Sequence, residues 1–324
     1  MSLKTFLTAV AALVALAATL VAPATAPAAI NVSVGIGDQA TGLFDDPNFK
    51  KLRVKKVRYF VKWDAIDRQY DTEQADAFVA AARRNGADVL MHVSSNNLTD
   101  LKQAELPSVK VYREKVKQLV DRYRPQGVRT WGPMNEANHA SQPTWNNPKR
   151  AAQYFLEFRK FCRGCKIVAL DVLDQRGVDR YINRFFRALG SRKRLASIIG
   201  VHNYSDTNRY RSTGTRLILR TAKRHNRRAK FWLTETGGVI KFGRSFKCTR
   251  SNRKSAERRQ ARAIDYMFRL VRRYRRDIQR LYIYNFFGDN CRGRFDAGIV
   301  RSNTDPRPRP AYNRVRRQMR NFKR

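Results

Sequence analysis

Val128-Arg129-Thr130-Trp131-Gly132-Pro133-Met134-Asn135-Glu136 and Ala229-Lys230-Phe231-Trp232-Leu233-Thr234-Glu235 are two short apolar runs that each end on a glutamate. A strand buried on both faces of a parallel sheet reads as such a run, bounded by turn residues. Working outward from these two, the pattern recurs to give eight strand candidates: Val32–Ile36, Val57–Val61, Val89–Val93, Val128–Gly132, Ile167–Asp171, Ile198–His202, Phe231–Glu235 and Leu281–Asn285. Helical periodicity fills the intervals, over Glu73–Asn85, Val109–Tyr123, Pro148–Phe161, Val178–Leu189, Thr213–His225, Ser255–Arg276 and Pro310–Asn321. Strands alternating with helices of this length predict an α/β fold with a parallel sheet, and eight repeats predict closure into a single (β/α)8 TIM barrel. An open doubly wound sheet is the competing architecture. Its usual phosphate-binding signal is weak, because Gly35-Ile36-Gly37 is followed by Asp38-Gln39-Ala40 and the G-x-G-x-x-G spacing fails at its last position.

Ahead of the first strand, Lys4 precedes an apolar stretch from Phe6 to Val21 and the small residues Ala24-Thr25-Ala26-Pro27-Ala28-Ala29. This predicts a secretory signal peptide over residues 1–29, cleaved after Ala28 or Ala29 so that Pro27 does not begin the mature chain. A membrane helix is the alternative for a run of that length, but the A-x-A pattern and the lack of a following basic stop region favour cleavage. Residues 30–324 then suit one catalytic-sized domain, exported, soluble and expected to be a monomer.

The formal charge of +41 favours anionic partners: nucleic acid, anionic lipid or an acidic cell-surface polymer. The basic residues are spread through every predicted helix, which is also the pattern of a solvated outer coat. No zinc-finger, helix-turn-helix or RNA-recognition signature is present, so nucleic acid is not the expected partner. Four cysteines, Cys162, Cys165, Cys248 and Cys291, suggest two disulfides in an exported chain, with three possible connectivities. Zinc competes for Cys162-Arg163-Gly164-Cys165, but the other two cysteines lack a paired spacing. Barrel geometry narrows the choice. Cys162 and Cys165 fall between the fourth helix and fifth strand, at the bottom, whereas Cys248 and Cys291 fall in neighbouring loops on the top face, so Cys162–Cys165 and Cys248–Cys291 are expected.

Asn135-Glu136 after the fourth strand, with Glu235 at the end of the seventh, resembles the retaining glycoside hydrolases of clan A, the (β/α)8 group containing many cellulases, mannanases and β-xylosidases. The resemblance extends to Asp296-Ala297-Gly298-Ile299-Val300 and Arg307-Pro308-Arg309-Pro310-Ala311-Tyr312. It implies that Glu136 is the acid/base and Glu235 the nucleophile, cleaving β-glycosidic bonds by double displacement without metal or organic cofactor. A retaining pair needs one protonated and one ionised carboxyl about 5–5.5 Å apart. Negative Glu235 is expected to keep the proton on Glu136.

The resemblance also implies a supporting shell. Arg58 on the second strand would reach the nucleophile, Tyr204 would bond it from the sixth strand, and Asn135 would hold the sugar 2-hydroxyl. His92 and His202 at strand ends, and Asn285 at the end of the eighth, join them as candidate sugar contacts. Trp63 and Trp145 are candidate platforms for the apolar faces of sugar rings. Tyr284-Asn285-Phe286-Phe287 departs from the tryptophan often found at that point in the clan. Two other functions compete: a barrel that binds carbohydrate or cell wall without cleaving it, and a basic protein that binds an anionic polymer. The second predicts strong salt dependence and no sugar turnover.

Overall fold

The computed structural model describes residues 29–97, 104–249 and 251–323. The leader expected over residues 1–29 lies outside the described residues except for Ala29. Strands β1 (Ile30–Gly37), β2 (Lys56–Lys62), β3 (Asp88–Ser94) and β4 (Thr130–Gly132) pair in parallel in chain order. Next, β5 (Lys166–Ile167) pairs with β4, whereas β6 (Leu170–Leu173) pairs with β7 (Ile198–His202). These two are halves of one barrel strand. Val168 N donates to Trp131 O and Ala169 N to Ile198 O, each at 2.8 Å, so the strand changes partner between those residues. β8 (Lys230–Thr236) lies beside β7, and β10 (Ile278–Tyr284) joins β8 to β1, giving the eight positions of the expected barrel.

The helices lie outside. α2 (Gln69–Arg84), α3 (Val109–Tyr123), α4 (Pro148–Phe161), α5 (Val178–Leu189), α7 (Thr213–His225), α8 (Arg253–Arg273) and α9 (Pro310–Gln318) match the seven expected, while α1 (Pro47–Leu52) and α6 (Tyr204–Asn208) are short additions in loops. α2 starts earlier than expected because its first turn is largely exposed and leaves no apolar period to read. β4 ends at Gly132, before Pro133, which has no N–H for a ladder. Ser108 caps α3 and Asn147 caps α4 by accepting from Val111 N and Arg150 N, and Pro148 opens α4 with a φ already suited to a helix. Among the described residues, no helix is long and apolar enough to cross a membrane.

Inside the barrel, Leu90, Val168, Trp232 and Tyr282 form an apolar layer. Gly35 makes room for it, since a Cβ there would come within 2.8 Å of the Tyr282 ring. Two residues further along their strands come His92, Thr234 and Tyr284, which by the two-residue period face the same interior and turn it polar toward the strands' C-terminal ends. Beyond the rim, β9 (Lys241–Phe242) and β11 (Phe295–Asp296) pair antiparallel and bring the loops after β8 and β10 together.

Both disulfides form with the expected pairing, Cα–Cα distances being 5.5 Å for Cys162–Cys165 and 5.6 Å for Cys248–Cys291. The second ties the two loops that carry β9 and β11. Buried Arg309 holds Asp296 in a two-pronged ion pair at 2.7 and 2.8 Å, anchoring the same loops to the start of α9. A Cys248→Ser/Cys291→Ser variant is expected to lose about 2–4 kcal/mol of stability in denaturant unfolding. An unchanged unfolding midpoint would show that the Asp296–Arg309 pair alone fixes these loops.

Candidate functional site

The loops at the C-terminal ends of the strands surround an open cleft of about 610 Å³. Asn135, Glu136, Tyr204, Glu235, Tyr284 and Phe295 are among its walls. Glu235 projects from β8, while Glu136 sits one step past Asn135 on a backbone with φ of 40°. That left-handed conformation is unfavourable for a residue with a Cβ. It is fixed by Ala137 N donating to Asp171 O at 2.8 Å and by Glu136 N donating to Asp171 Oδ2 at 3.4 Å.

Glu235 is held from two sides. Arg58 Nη1 donates to Oε2 at 2.7 Å and the Tyr204 hydroxyl to Oε1 at 3.1 Å. Burial, then the charge of Glu235, raises the Tyr204 phenol well above its usual range, so it stays a donor. The other prongs of Arg58 donate to Asn135 Oδ1 at 2.5 Å and to His92 Nδ1 at 3.0 Å.

Glu136 is held by His202, whose Nδ1 lies 2.9 Å from Oε1. The other ring nitrogen, Nε2, is 2.9 Å from Asp171 Oδ2. Burial would depress the His202 pKa, but the charges of Asp171 and then Glu235 push it up to about 10. The ring is therefore an imidazolium at neutral pH. His92 behaves oppositely: burial lowers it to about 3, and it stays neutral, accepting from Arg58. Burial works against charge on Asp171, yet His202, His92 and Arg58 hold its carboxyl well below the ordinary carboxylate range.

Glu136 departs from the expectation that Glu235 would keep it protonated. Burial does favour the proton, but the hydrogen bond and charge of His202, with His139 behind them, outweigh it and lower the pKa. The proton of the pair rests on His202 Nδ1, one hydrogen bond from Glu136 Oε1.

A carboxylate oxygen of Glu136, one of Glu235 and a ring nitrogen of His202 lie within 4.8 Å of one another. Such a trio could ligate a metal only after His202 gives up a proton, because a protonated imidazole has no lone pair to give.

The remaining expected residues are distributed differently. Arg58, His92 and His202 lie beneath the cleft floor, fully buried, and touch the carboxyls and one another. Trp63 is buried and is not among the cleft's walls. Trp145 is half-exposed and lines a separate groove outside the rim. Asn285 turns its amide to Phe287 O and is likewise absent from the walls. At the point where the resemblance implied tryptophan, Tyr284 lines the cleft instead.

Asp171 was not singled out from the sequence, although an acid closing the run Ile167-Val168-Ala169-Leu170 was a readable signal. Nor was the aromatic wall of Phe242, Phe246 and Phe295, whose residues come from loops without periodicity.

Solved structures similar to this chain are barrels of carbohydrate-active enzymes. A xylanase from Paenibacillus barcinonensis matches with a TM-score of 0.64 at 17% identity, over 90% of this chain and 98% of that one. A glucosidase from Croceicoccus marinus matches with a TM-score of 0.63 at 12% identity, over 90% and 67%. A xylanase from Thermoanaerobacterium saccharolyticum matches with a TM-score of 0.59 at 13% identity, over 88% and 95%. These likenesses establish the (β/α)8 fold. No family model matches the chain, and no curated protein does.

The charge state of His202 has a measurable consequence. Its folded pKa of about 10 lies above the usual value, so its stabilising effect is complete below about pH 6.5 and is lost as pH rises toward 10. His202→Gln is expected to be less stable than wild type at pH 6, with the difference shrinking by pH 10 in paired unfolding curves. A difference constant across that range would mean that His202 is not protonated in the fold.

Proposed function

We propose that this chain is a secreted glycoside hydrolase that cleaves β-glycosidic bonds with retention of configuration. The observation that carries the proposal is the approach of Glu136 and Glu235, with carboxylate oxygens inside 4.8 Å across an open cleft and separate partners for each. That closeness suits a nucleophile and an acid/base, and is tighter than the roughly 6.5–9.5 Å that leaves room for a water in an inverting enzyme. The barrels named above support a carbohydrate substrate through shared fold. The signal-like leader and the two disulfides support export.

In this reading Glu235 Oε attacks the anomeric carbon, with Arg58 and Tyr204 orienting the carboxylate. The proton on His202 Nδ1 passes over the 2.9 Å bond to Glu136 and on to the departing oxygen, leaving Glu136 ionised and His202 neutral. Esterification removes the negative charge of Glu235, one of the two charges that keep His202 protonated. Glu136 then takes a proton from the attacking water and returns it to His202, while release of the sugar restores the carboxylate of Glu235. Asn135, its side-chain oxygen fixed by Arg58, is left to present its amide nitrogen to a sugar hydroxyl. Aromatic faces at Tyr284, Phe295 and half-exposed Phe242 suit the apolar faces of sugar rings.

Reducing-sugar release across a glycan panel tests the activity, and two variants test the roles. Glu235→Ala is expected to lower turnover by at least about 10³-fold, with azide restoring activity and giving a product of inverted anomeric configuration. Glu136→Ala is expected to keep glycosylation of an aryl glycoside with a good leaving group while deglycosylation slows, and azide then gives a product of retained configuration. If both variants match wild type on the substrate it cleaves best, the catalytic assignment is wrong. Carbohydrate binding without turnover by wild type would favour a binding barrel.

A further inference from the structure

Outside the cleft, between the loop after β4 and the exposed edge of α5, runs a groove of about 410 Å³. Trp145 forms one wall, and Arg180, Arg184 and Arg187 form the other. A second hollow of about 400 Å³ shares Asn146, Pro148, Arg184 and Arg187 with the first and continues past Lys149, so the two make one trough. We propose that this trough is a secondary binding site for an acidic glycan, a chain whose sugars carry carboxylate or sulfate groups.

Three observations support it. First, Trp145 is 50% exposed, yet its loop is built firmly. Trp145 N donates to Gln142 O at 3.1 Å, Thr144 Oγ1 to Ala137 O at 3.0 Å, and the Tyr181 hydroxyl crosses from α5 to Thr144 O at 2.9 Å. An indole carried beside open space on a backbone fixed in advance is a stacking platform that needs no loop ordering on binding. Second, Arg180, Arg184 and Arg187 follow a spacing of four and three, which puts them on one helix face over about 10 Å. None of the three makes an ion pair among the described residues, and no carboxylate lines either hollow. Like charges so placed destabilise the helix unless an anion lies across them. Arginine forks match carboxylate and sulfate oxygens, and Asn146 suits sugar hydroxyls, as does the amide nitrogen of Asn183, whose oxygen is engaged by His225 Nε2 at 2.8 Å.

The third observation favours glycan over nucleic acid and rests on the cleft taking carbohydrate. Gln142 and Arg176 wall the cleft, while Trp145, three residues on, and Gly177, the next residue, open the trough. A chain held in the cleft can therefore continue over the rim between α4 and α5 into the outer site, and the site would retain an acidic polymer while the cleft works along it.

The test is binding by the full-length protein, measured by titration with oligogalacturonate, with a neutral xylo-oligosaccharide and with a single-stranded oligonucleotide, each at low and high salt. Oligogalacturonate is expected to bind, to weaken with salt, and to lose about tenfold in affinity in both Trp145→Ala and Arg184→Gln/Arg187→Gln. Arg316→Gln/Arg317→Gln, on exposed positions of α9, makes the same charge change elsewhere and is expected to bind as wild type. Equal loss in that control would reduce the effect to net charge and overturn the site. Oligonucleotide binding as tight as oligogalacturonate binding, with the same dependence on Trp145, would replace the glycan by nucleic acid. No binding of any anion would also overturn it. Should Glu235→Ala keep wild-type turnover while the trough binds as expected, the hydrolase reading fails alone and the binding site stands.

Discussion

The carboxylate of Asp171, fully buried inside the barrel, is the charge around which the rest of the site is arranged. Taking an ion out of water costs several kcal/mol, and the loss is offset only when counter-charges and donors surround it. His202 approaches one oxygen at 2.9 Å, with His92 and Arg58 within 3.9 Å, and the Thr234 hydroxyl donates to the other oxygen. Each of these partners then acts on something else. His202, made cationic by Asp171 and Glu235, holds Glu136, while Arg58 divides its donors among Glu235, Asn135 and His92. Counting Arg58 and His202 against Asp171, Glu136 and Glu235, the cluster carries one net negative charge, which a proton on Glu136 would cancel.

The barrel must leave space for this polar layer, and glycine supplies it at two points. A Cβ at Gly200 would lie 1.9 Å from Asp171 Oδ1, and one at Gly132 would lie 1.7 Å from the His92 ring. Both glycines are directly paired in the ladder, Gly200 with Asp171 and Gly132 with His92. The split of the fifth barrel strand belongs to the same arrangement. Asp171 stands just after the change of partner, where its backbone carbonyl is free to accept from Ala137 and so fixes the left-handed turn at Glu136. Unfavourable backbone at a reactive carboxyl persists where its surroundings over-determine it, and here one residue supplies both the backbone and side-chain restraints.

The barrel was legible in the sequence because its strands are buried on both faces and therefore read as unbroken apolar runs. The position of each glutamate at a strand end was legible for the same reason. Which side chains meet inside the ring was less so. Strand order places His202 near Glu136 and Glu235, but a histidine at a strand end does not reveal that a buried acid from the neighbouring strand will charge it. Trp63 and Trp145 show the same limit from the other side. Aromatic residues after strands suggest a cleft wall, yet Trp63 is taken into the core, and the turn closed by Gln142, Thr144 and Tyr181 aims Trp145 outward. The cleft's own aromatic wall stands on an antiparallel pair, β9 with β11, whose two-residue strands carry no readable period.

The excess of 67 basic over 26 acidic side chains gives the unpaired arginines of α5 their proper weight. With so few acids, most surface cations must lack a partner, so an unpaired arginine is by itself an ordinary feature of this surface. At physiological salt a charge is felt over about 8 Å, which confines useful attraction to cations close to one another and to the ligand. Arg180, Arg184 and Arg187 meet that condition by helical spacing, and they do so in a hollow without carboxylates that also carries Trp145 on a fixed loop. Elsewhere the coat raises the local concentration of any polyanion without orienting it. Orientation requires short-range contacts of different kinds in one place, and the rim between the cleft and α5 combines arginines, amides and an exposed indole.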